Sequence, residues 1–265
     1  MFFTILILLS AEAREYNRIV SLAPSLTRNL VFLEAEDKLV GCTSYCMLSP
    51  GNEKPIVASA ITVNLEKIVS LQPDLILVMP LTSPETIASL KKFGIRVEVF
   101  PSPRSFKEIC EQFIHLGKLV GKEQLAEDIV ARSRADVEKL ARKNREDKKP
   151  GMFFQIGADP IFSVLPNTFM DDYIRLAGCT NIARDMKGGI ISRESVLARN
   201  PEIIFVATMG VLGEEERETW KSYKGLDAAE NNRIFIVDSD LACLPTPVTF
   251  VQTLTIMIKA LYSEE

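Results

Sequence analysis

The chain has 265 residues, 47% hydrophobic and 25% charged, which fits one large globular domain or two smaller lobes. A formal net charge of -4 at pH 7 offers no basic surface to a phosphate backbone, so we exclude a nucleic-acid partner. No internal run reaches the roughly 18 to 20 apolar residues of a membrane-spanning helix, so we expect no direct membrane span.

The N-terminus begins with a short apolar block, residues 2–9 (FFTILILL). Ala11 and Ala13 then fit the small-x-small pattern that precedes cleavage of a secretory signal. We interpret residues 1–13 as a signal peptide, with a mature chain that begins near Arg14 and is located in the periplasm or another extracytoplasmic space. The alternative interpretation is a first buried β-strand. No cysteine occupies the cleavage site, so a lipid anchor is not indicated.

The first half of the chain alternates short apolar strands with helices. We predict strands at residues 18–22, 38–42, 75–79 and 96–100. Three helices lie between them: Ser25 or Thr27 caps the first, Asn64 caps the second, and the third spans residues 84–93. This alternation is typical of parallel βα units that carry helices on both faces of a sheet.

The middle of the chain contains a run without glycine or proline, residues 122–144, whose apolar side chains recur with a helical period. Such a helix is roughly 34 Å long. We interpret it as a rigid connection between two lobes, and the alternative is a long surface helix of a single domain. The predicted boundaries are 14–121 for the N-terminal lobe, 122–149 for the connection and 150–265 for the C-terminal lobe.

The second half repeats the order of the first. We predict strands at residues 152–156, 203–207 and 234–237, and helices at residues 168–177, after the cap Ser192, and at residues 246–262. Trp220, the single tryptophan, lies in an acidic segment that we predict to be a surface helix.

An internal repeat connects the two halves. Residues 64–78 (NLEKIVSLQPDLILV) align without gaps with residues 192–206 (SRESVLARNPEIIFV), 128 positions later. Each segment reads as a cap, a helix, a proline–acid break and a buried strand, and Glu66 pairs with Glu194. Two similar lobes are therefore the better interpretation of the chain.

Enzyme motifs are missing from the sequence, which contains neither GxSxG nor a glycine-rich phosphate loop. His115 is the single histidine, which argues against histidine-based metal sites and catalytic triads. The five cysteines have no metal-binding spacing and are expected to be mostly buried apolar residues: Cys42, Cys46, Cys110, Cys179 and Cys243. We expect no enzyme, no resident cofactor and no metal site, but a ligand cleft between the lobes.

Several segments carry a family resemblance: RIVSLAPSLT at residues 18–27, VGCTSY at residues 40–45, FFQIGADPIF at residues 153–162, and the two repeat segments. They resemble the class III periplasmic substrate-binding proteins of ABC importers, nearest to the cobalamin-binding branch. The resemblance implies an α/β fold of two Rossmann-like lobes with mainly parallel sheets, joined by a single long α-helix that limits closure. It also implies a monomer that delivers a metal chelate to a permease dimer with its ATPase. A cobalamin-like corrinoid is the first expectation, and an iron-siderophore or haem the next.

Glu66 and Glu194 each lie in the first turn of a predicted helix, one in each lobe. The simpler explanation is local, because the helix macrodipole favours a carboxylate at that position. In the family that the chain resembles, one surface glutamate per lobe at this position docks onto arginines of the two permease subunits. The resemblance therefore implies that Glu66 and Glu194 are permease-docking residues.

The ligand cleft is predicted to have a small, apolar and sulfur-bearing rim: Tyr45, Cys46, Met47, Met79, Asp159, Asp240 and Cys243. Tyr45 matches a pocket tyrosine of the cobalamin branch, although all seven residues could instead cover strand ends. The chain departs from that branch at the positions of its pocket tryptophans: Ala60, Met79 or Pro80, and Gly188 or Gly189. Two alternatives stay open, namely a different small ligand on the same scaffold, or an interaction module without a transport role.

Overall fold

The structure is a computed structural model that describes residues 15–59, 62–142, 149–207 and 212–262. The predicted signal peptide and Ala60 lie outside the described residues. Within the described ranges, no helix combines the length and the hydropathy that crossing a membrane requires.

The N-terminal half forms a sheet of five parallel strands in the order β3-β2-β1-β4-β5. The strands are β1 (Ile19–Ser21), β2 (Leu39–Thr43), β3 (Ile56–Ala58), β4 (Leu75–Val78) and β5 (Arg96–Val99). In the central pair, Ile19 lies opposite Leu75, and every residue of β1 and β4 is buried. Burial on both faces explains why β4 is a continuous apolar run and why β1 departs from one only at Ser21.

Three helices connect these strands: α1 (Pro24–Phe32), α2 (Leu65–Ser70) and α3 (Pro84–Lys92). The prediction that Ser25 or Thr27 caps α1 is wrong, because α1 already begins at Pro24 and has no side-chain cap. The ring of a proline at the first helical position fixes φ at a helical value, so the helix begins before Ser25 and Thr27. Ser25 and Thr27 are instead buried inside α1. A 3₁₀ turn (Glu36–Lys38) precedes β2.

Two further helices lead to the second half, α4 (Phe106–Leu119) and α5 (Glu123–Arg142). The predicted long helix is therefore present, although the last two positions of its predicted span, 143–144, lie outside the described residues. Buried Ala126, Val130, Ser133 and Val137 follow the helical period from which it was predicted.

The C-terminal half forms a second, mainly parallel sheet in the order β10-β9-β6-β7, with β8 beside the start of β6. The strands are β6 (Gly151–Ala158), β7 (Ile161–Ser163), β8 (Thr180–Asn181), β9 (Ile203–Val206) and β10 (Ile234–Ile236). Only the pairing of β7 with β6 is antiparallel among these named strands. The predicted fold class, two α/β lobes with mainly parallel sheets, is confirmed.

Six helices follow in this half: α6 (Phe169–Leu176), α7 (Arg193–Arg199), α8 (Leu212–Lys221), α9 (Asp227–Glu230), α10 (Ser239–Ala242) and α11 (Pro247–Tyr262). The cap Ser192 accepts a hydrogen bond from the backbone N–H of Ser195 at 3.2 Å. At the equivalent point of the first half, Asn64 accepts one from Lys67 at 2.9 Å. Both predicted caps are confirmed, and the sequence repeat corresponds to a repeat of helix, break and buried strand.

Trp220 lies on α8, where a surface helix was predicted, but its side chain is fully buried. The indole N–H donates to the side-chain oxygen of Gln155 at 2.7 Å, and the Arg193 guanidinium lies 4.8 Å from the ring centroid. Glu214, Glu215 and Glu218 lie on the exposed face of α8, whereas Glu216 is buried and forms an ion pair with Arg193 at 2.6 Å. Trp220 belongs to the core of the second lobe and to no ligand site.

One apolar cluster runs through both halves of the molecule. At its centre the ring of Phe250 stacks on Phe106 at 4.5 Å and on Tyr173 at 4.3 Å. The carboxylate of Asp172 accepts a hydrogen bond from the backbone N–H of Phe106 at 2.9 Å. Helix α5 packs along both α4 and α11. The two sheets are therefore joined by a shared core as well as by a connecting helix.

Candidate ligand-binding cleft

A cavity of about 580 Å³ opens between the two halves. The residues that line it lie at or just after the carboxyl ends of β1, β2, β6, β9 and β10. One lining residue represents each of these strand ends: Pro24, Tyr45, Ala158, Ala207 and Ser239. Ligands of open α/β sheets bind outside the carboxyl ends of the strands, where loops from separate βα units meet. The location of the cavity therefore follows from the topology of both sheets.

A second cavity of about 400 Å³ adjoins the first and shares Pro24 and Tyr45 with it. Its remaining lining comes from the N-terminal half and is rich in hydroxyl groups: Thr43, Ser59, Thr62, Thr82, Ser83 and Thr86. The Tyr45 side chain, 56% exposed, stands where the two cavities meet. Together the cavities form a single cleft with one wall from each half.

Four of the seven predicted rim residues come together in the first cavity: Tyr45, Asp159, Asp240 and Cys243. The other three, Cys46, Met47 and Met79, are absent from the lining of both described cavities. Their sulfurs contact residues of α1, and their role in ligand binding stays a prediction.

The sulfurs of Cys46, Met47 and Met79 all contact α1. The Cys46 thiol lies 3.0 Å from the Thr27 hydroxyl, and the Met79 sulfur accepts a hydrogen bond from Ser25 at 3.3 Å. The Met47 sulfur accepts one from Arg28 at 3.7 Å. These contacts satisfy the polar groups that Ser25 and Thr27 bring into the helix interior.

The second wall of the cleft carries two exposed carboxylates, Asp159 and Asp240. Neither forms an ion pair with another described residue. A third carboxylate, Asp238, caps α10 beside them and accepts a hydrogen bond from the backbone N–H of Asp240 at 2.7 Å. Burial raises the pKa of the Cys243 thiol to about 11, and the charges of Asp240 and Asp238 act in the same direction. The electrostatic potential of this wall is therefore negative.

The apolar floor of the cavity was missed by sequence reasoning: Ile156, Gly157, Ala158, Ala207 and Leu244. These residues have no polar or reactive group that would mark them as site residues in the sequence. Each except Leu244 lies within or directly after a predicted strand, so the rule that ligands bind at carboxyl ends could have found them.

Glu66 and Glu194 are absent from the lining of both cavities, and each is exposed in the first turn of its helix, α2 or α7. Hydrogen bonds from its own backbone N–H and from the Ser192 hydroxyl lower the pKa of Glu194. The two glutamates occupy equivalent positions of the repeated segment, one per lobe. No three His, Cys, Asp or Glu side chains of the described residues gather as metal ligands.

Comparisons with known proteins agree with this geometry. The sequence profile of the periplasmic binding proteins matches residues 19–241. An uncharacterised ABC transporter substrate-binding lipoprotein of Bacillus subtilis is 30% identical over 244 residues, which cover 88% of this chain and 76% of the relative. The vitamin B12-binding protein of Vibrio cholerae is 26% identical over 236 residues, with 88% and 84% covered.

A solved structure extends the similarity to the whole fold. A Staphylococcus epidermidis protein, described as a possible iron-binding, periplasmic solute-binding protein, superposes with a TM-score of 0.81 at 27% sequence identity. The alignment covers 94% of this chain and all of the other. The two-lobed arrangement is thus shared at full length.

Proposed function

The chain belongs to the periplasmic binding protein family and is a substrate-binding protein of an ABC transporter, and from this premise we propose that it captures a metal chelate between its lobes. The first candidate is a cobalamin-like corrinoid, and the next are an iron-siderophore and haem. The protein then delivers the chelate to a permease dimer with its ATPase. The observation that carries the proposal is the cavity of about 580 Å³ with lining from both halves.

The size and chemistry of the cleft favour a chelate over a bare metal ion. A cavity of this volume lies in the range of organic ligands, roughly 300–1,000 Å³. A bare ion needs several converging side-chain ligands, and the described residues provide no such group. The printed names of the relatives, vitamin B12-binding and possible iron-binding, support the same class of ligand.

We propose a binding protein without catalytic activity that acts outside the cytoplasm. The named relatives are substrate-binding and periplasmic proteins, and they support both statements. The shared core around Phe250 also fits capture with little lobe closure, because moving one half relative to the other would break the ring stacking of Phe250 on Phe106.

Glu66 and Glu194 are our proposed docking residues for the permease dimer. Their equivalent positions in a repeated segment give the two lobes one exposed carboxylate each, and the joined core keeps the separation of these carboxylates fixed. Two charges at a fixed separation suit recognition of a partner made of two similar subunits.

The capture step is tested by native mass spectrometry of protein purified from its own host, followed by calorimetric titration with corrinoids. We expect a coloured chelate to co-purify and one equivalent to bind. The matched variants are Ala158→Trp, which fills the cavity floor, and Ala131→Trp, which adds the same ring to the exposed face of α5. Binding should be lost only in the first. A cleft that takes up no corrinoid, ferric siderophore or haem would favour an interaction module without a transport role.

A further inference from the structure

The charges that line the cleft all have the same sign. Asp159 and Asp240 are the only charged residues among the described residues that line either cavity. The undescribed segments adjoining the lining in sequence, residues 60–61 (AI) and 208–211 (TMGV), contain no charged residue either. A ligand in this cleft therefore meets carboxylates, hydroxyls and apolar groups, and it meets no lysine or arginine of the lining.

Resting on the proposed function, we infer that the cleft selects its chelate by charge. It takes a neutral or cationic complex whose edge carries amide or hydroxyl groups, and it rejects complexes that carry carboxylates or catecholates. Asp159 and Asp240 are the residues that set this preference.

The argument against an anionic chelate is electrostatic. A carboxylate that leaves water needs a cationic partner or several hydrogen-bond donors, because desolvation of an unpaired charge is costly. The wall that carries Asp159 and Asp240 provides the opposite, because both are exposed acidic side chains of the lining and neither forms an ion pair with another described residue. The two propionates of haem and the catecholates of a ferric tricatecholate would bring further negative charge to this wall.

The argument for amide and hydroxyl groups comes from the other wall. Its hydroxyls both donate and accept hydrogen bonds, and their hydrogens rotate to suit a partner. The Ser83 hydroxyl donates a hydrogen bond to the Thr86 hydroxyl at 3.1 Å, so the two hydroxyls form a paired polar edge of the second cavity. Such groups match primary amides, and the carboxylates of Asp159 and Asp240 accept the amide N–H groups or attract a net positive charge at the opposite wall.

Two pairs of ligands that differ in charge test the inference, and the members of the first pair share their corrin core. The full chain is titrated calorimetrically at low salt with cobinamide, whose ring side chains are amides, and with cobyrinic acid, whose ring side chains are carboxylates. A cationic ferric hydroxamate and an anionic ferric tricatecholate form the second pair, and haem is titrated alone. We expect the amide corrinoid and the hydroxamate to bind at least about tenfold tighter than their anionic counterparts and than haem, and added salt to reduce the difference.

Variants assign the preference to the two aspartates. Asp159→Asn with Asp240→Asn should weaken cobinamide about fivefold to tenfold, strengthen cobyrinic acid and so remove most of the discrimination. Asp37→Asn removes the same charge from an exposed residue outside both cavities, and it should leave the discrimination unchanged. The asparagine side chains are isosteric, and thermal unfolding checks that the double variant is folded.

Three results would overturn the inference. If cobyrinic acid, haem or the tricatecholate binds tightest, the charge preference is wrong while chelate capture stands. If the preference exists but survives the double variant, its assignment to Asp159 and Asp240 is wrong. If no chelate of either charge binds, the proposed function fails and the inference fails with it.

Discussion

The two walls of the cleft are built by the same device and differ in chemistry. Each consists of residues at or after the carboxyl ends of parallel strands, β1, β2, β3 and β4 in one half and β6, β9 and β10 in the other. The first wall presents Tyr45 and hydroxyls, whereas the second presents an apolar floor with Asp159 and Asp240. The scaffold was repeated while its loops diverged, so ligand preference resides in the loops.

A thiol on each side of the cleft reports this difference. The Cys42 thiol donates to the Cys46 sulfur, the Thr27 and Thr43 hydroxyls add to this, and the pKa of Cys46 falls below its ordinary value despite partial burial. Across the cleft, burial and then the charges of Asp240 and Asp238 raise the pKa of Cys243. The pKa of the thiol is thus lowered at Cys46 and raised at Cys243.

The N-termini of α2 and α7 show the opposite relation, because their geometry is the same in the two halves. The caps Asn64 and Ser192 start helices of similar length, and each helix carries an exposed glutamate in its first turn. The repeated geometry of the two helix N-termini and the different chemistry of the two cleft walls favour separate tasks for these surfaces. The following changes test this separation.

The largest effect is expected at Glu66 and Glu194. Glu66→Ala with Glu194→Ala should reduce transport by about 100-fold or more, because the permease would lose one charge-assisted contact at each lobe. Ligand affinity should stay unchanged, since neither residue lines the cleft. Uptake of labelled ligand by cells and calorimetry of the purified variant measure the two quantities.

The control for this prediction is Glu85→Ala. Glu85 is also an exposed glutamate in the first turn of a helix, α3, but it lies outside the repeated segment. Its removal should leave transport intact. Equal losses in both variants would assign the defect to general surface charge, and normal uptake by the double variant would sink the docking proposal.

The next effect concerns the core that holds the two walls together. Phe250→Ala removes a fully buried ring that stacks on Phe106 from α4 and on Tyr173 from α6. We expect the free energy of unfolding to fall by about 3–5 kcal/mol, measured by urea denaturation. Ile256→Ala, on the exposed face of the same helix, should cost less than about 1 kcal/mol. A small change in Phe250→Ala would mean that the halves are stable without this contact.

A smaller effect is expected at the junction of the two cavities. Tyr45→Ala removes the only aromatic ring of the described lining, and affinity for the chelate should fall about tenfold. Tyr45→Phe should retain most of the affinity, because the ring face rather than the hydroxyl makes the contact. If the two variants lose affinity equally, the hydroxyl is the recognition group. If neither does, Tyr45 only covers the strand ends.

The fold was largely predictable from the sequence. Strands β4 and β9 are continuous apolar runs, β1 is apolar except for Ser21, and Asn64 and Ser192 each cap a helix through a hydrogen bond. The missed strands are short: β3 and β7 have three residues each, and β8 has two. Such strands exist because a neighbouring strand pairs with them, and this long-range cause leaves little trace in a local sequence window.

The site was predictable in part, for a similar reason. Tyr45, Asp159, Asp240 and Cys243 were found because they follow strand ends, and strand ends can be read locally. Met79 also follows a strand, yet its sulfur faces Ser25 of α1. Which side of a loop a side chain occupies depends on the helix packed against it, and the loop sequence alone does not give that packing.

The smallest effect is a difference in the pH dependence of the two thiols. Alkylation by iodoacetamide, followed by mass spectrometry of peptides, should modify Cys46 several-fold faster than Cys243 at pH 7, because the thiolate is the reactive form. The rate at Cys46 should level off below the ordinary thiol range, while the rate at Cys243 should still rise toward pH 11. Thr43→Val removes a hydroxyl 3.2 Å from the Cys46 sulfur and should move the pH midpoint of Cys46 alkylation upward by about one pH unit.

The control variant for this prediction is Thr86→Val. It removes a hydroxyl elsewhere on the same wall and should leave the pH midpoint of Cys46 alkylation in place. Coincident profiles for Cys46 and Cys243 would mean that the electrostatic contrast between the two walls does not reach their thiols.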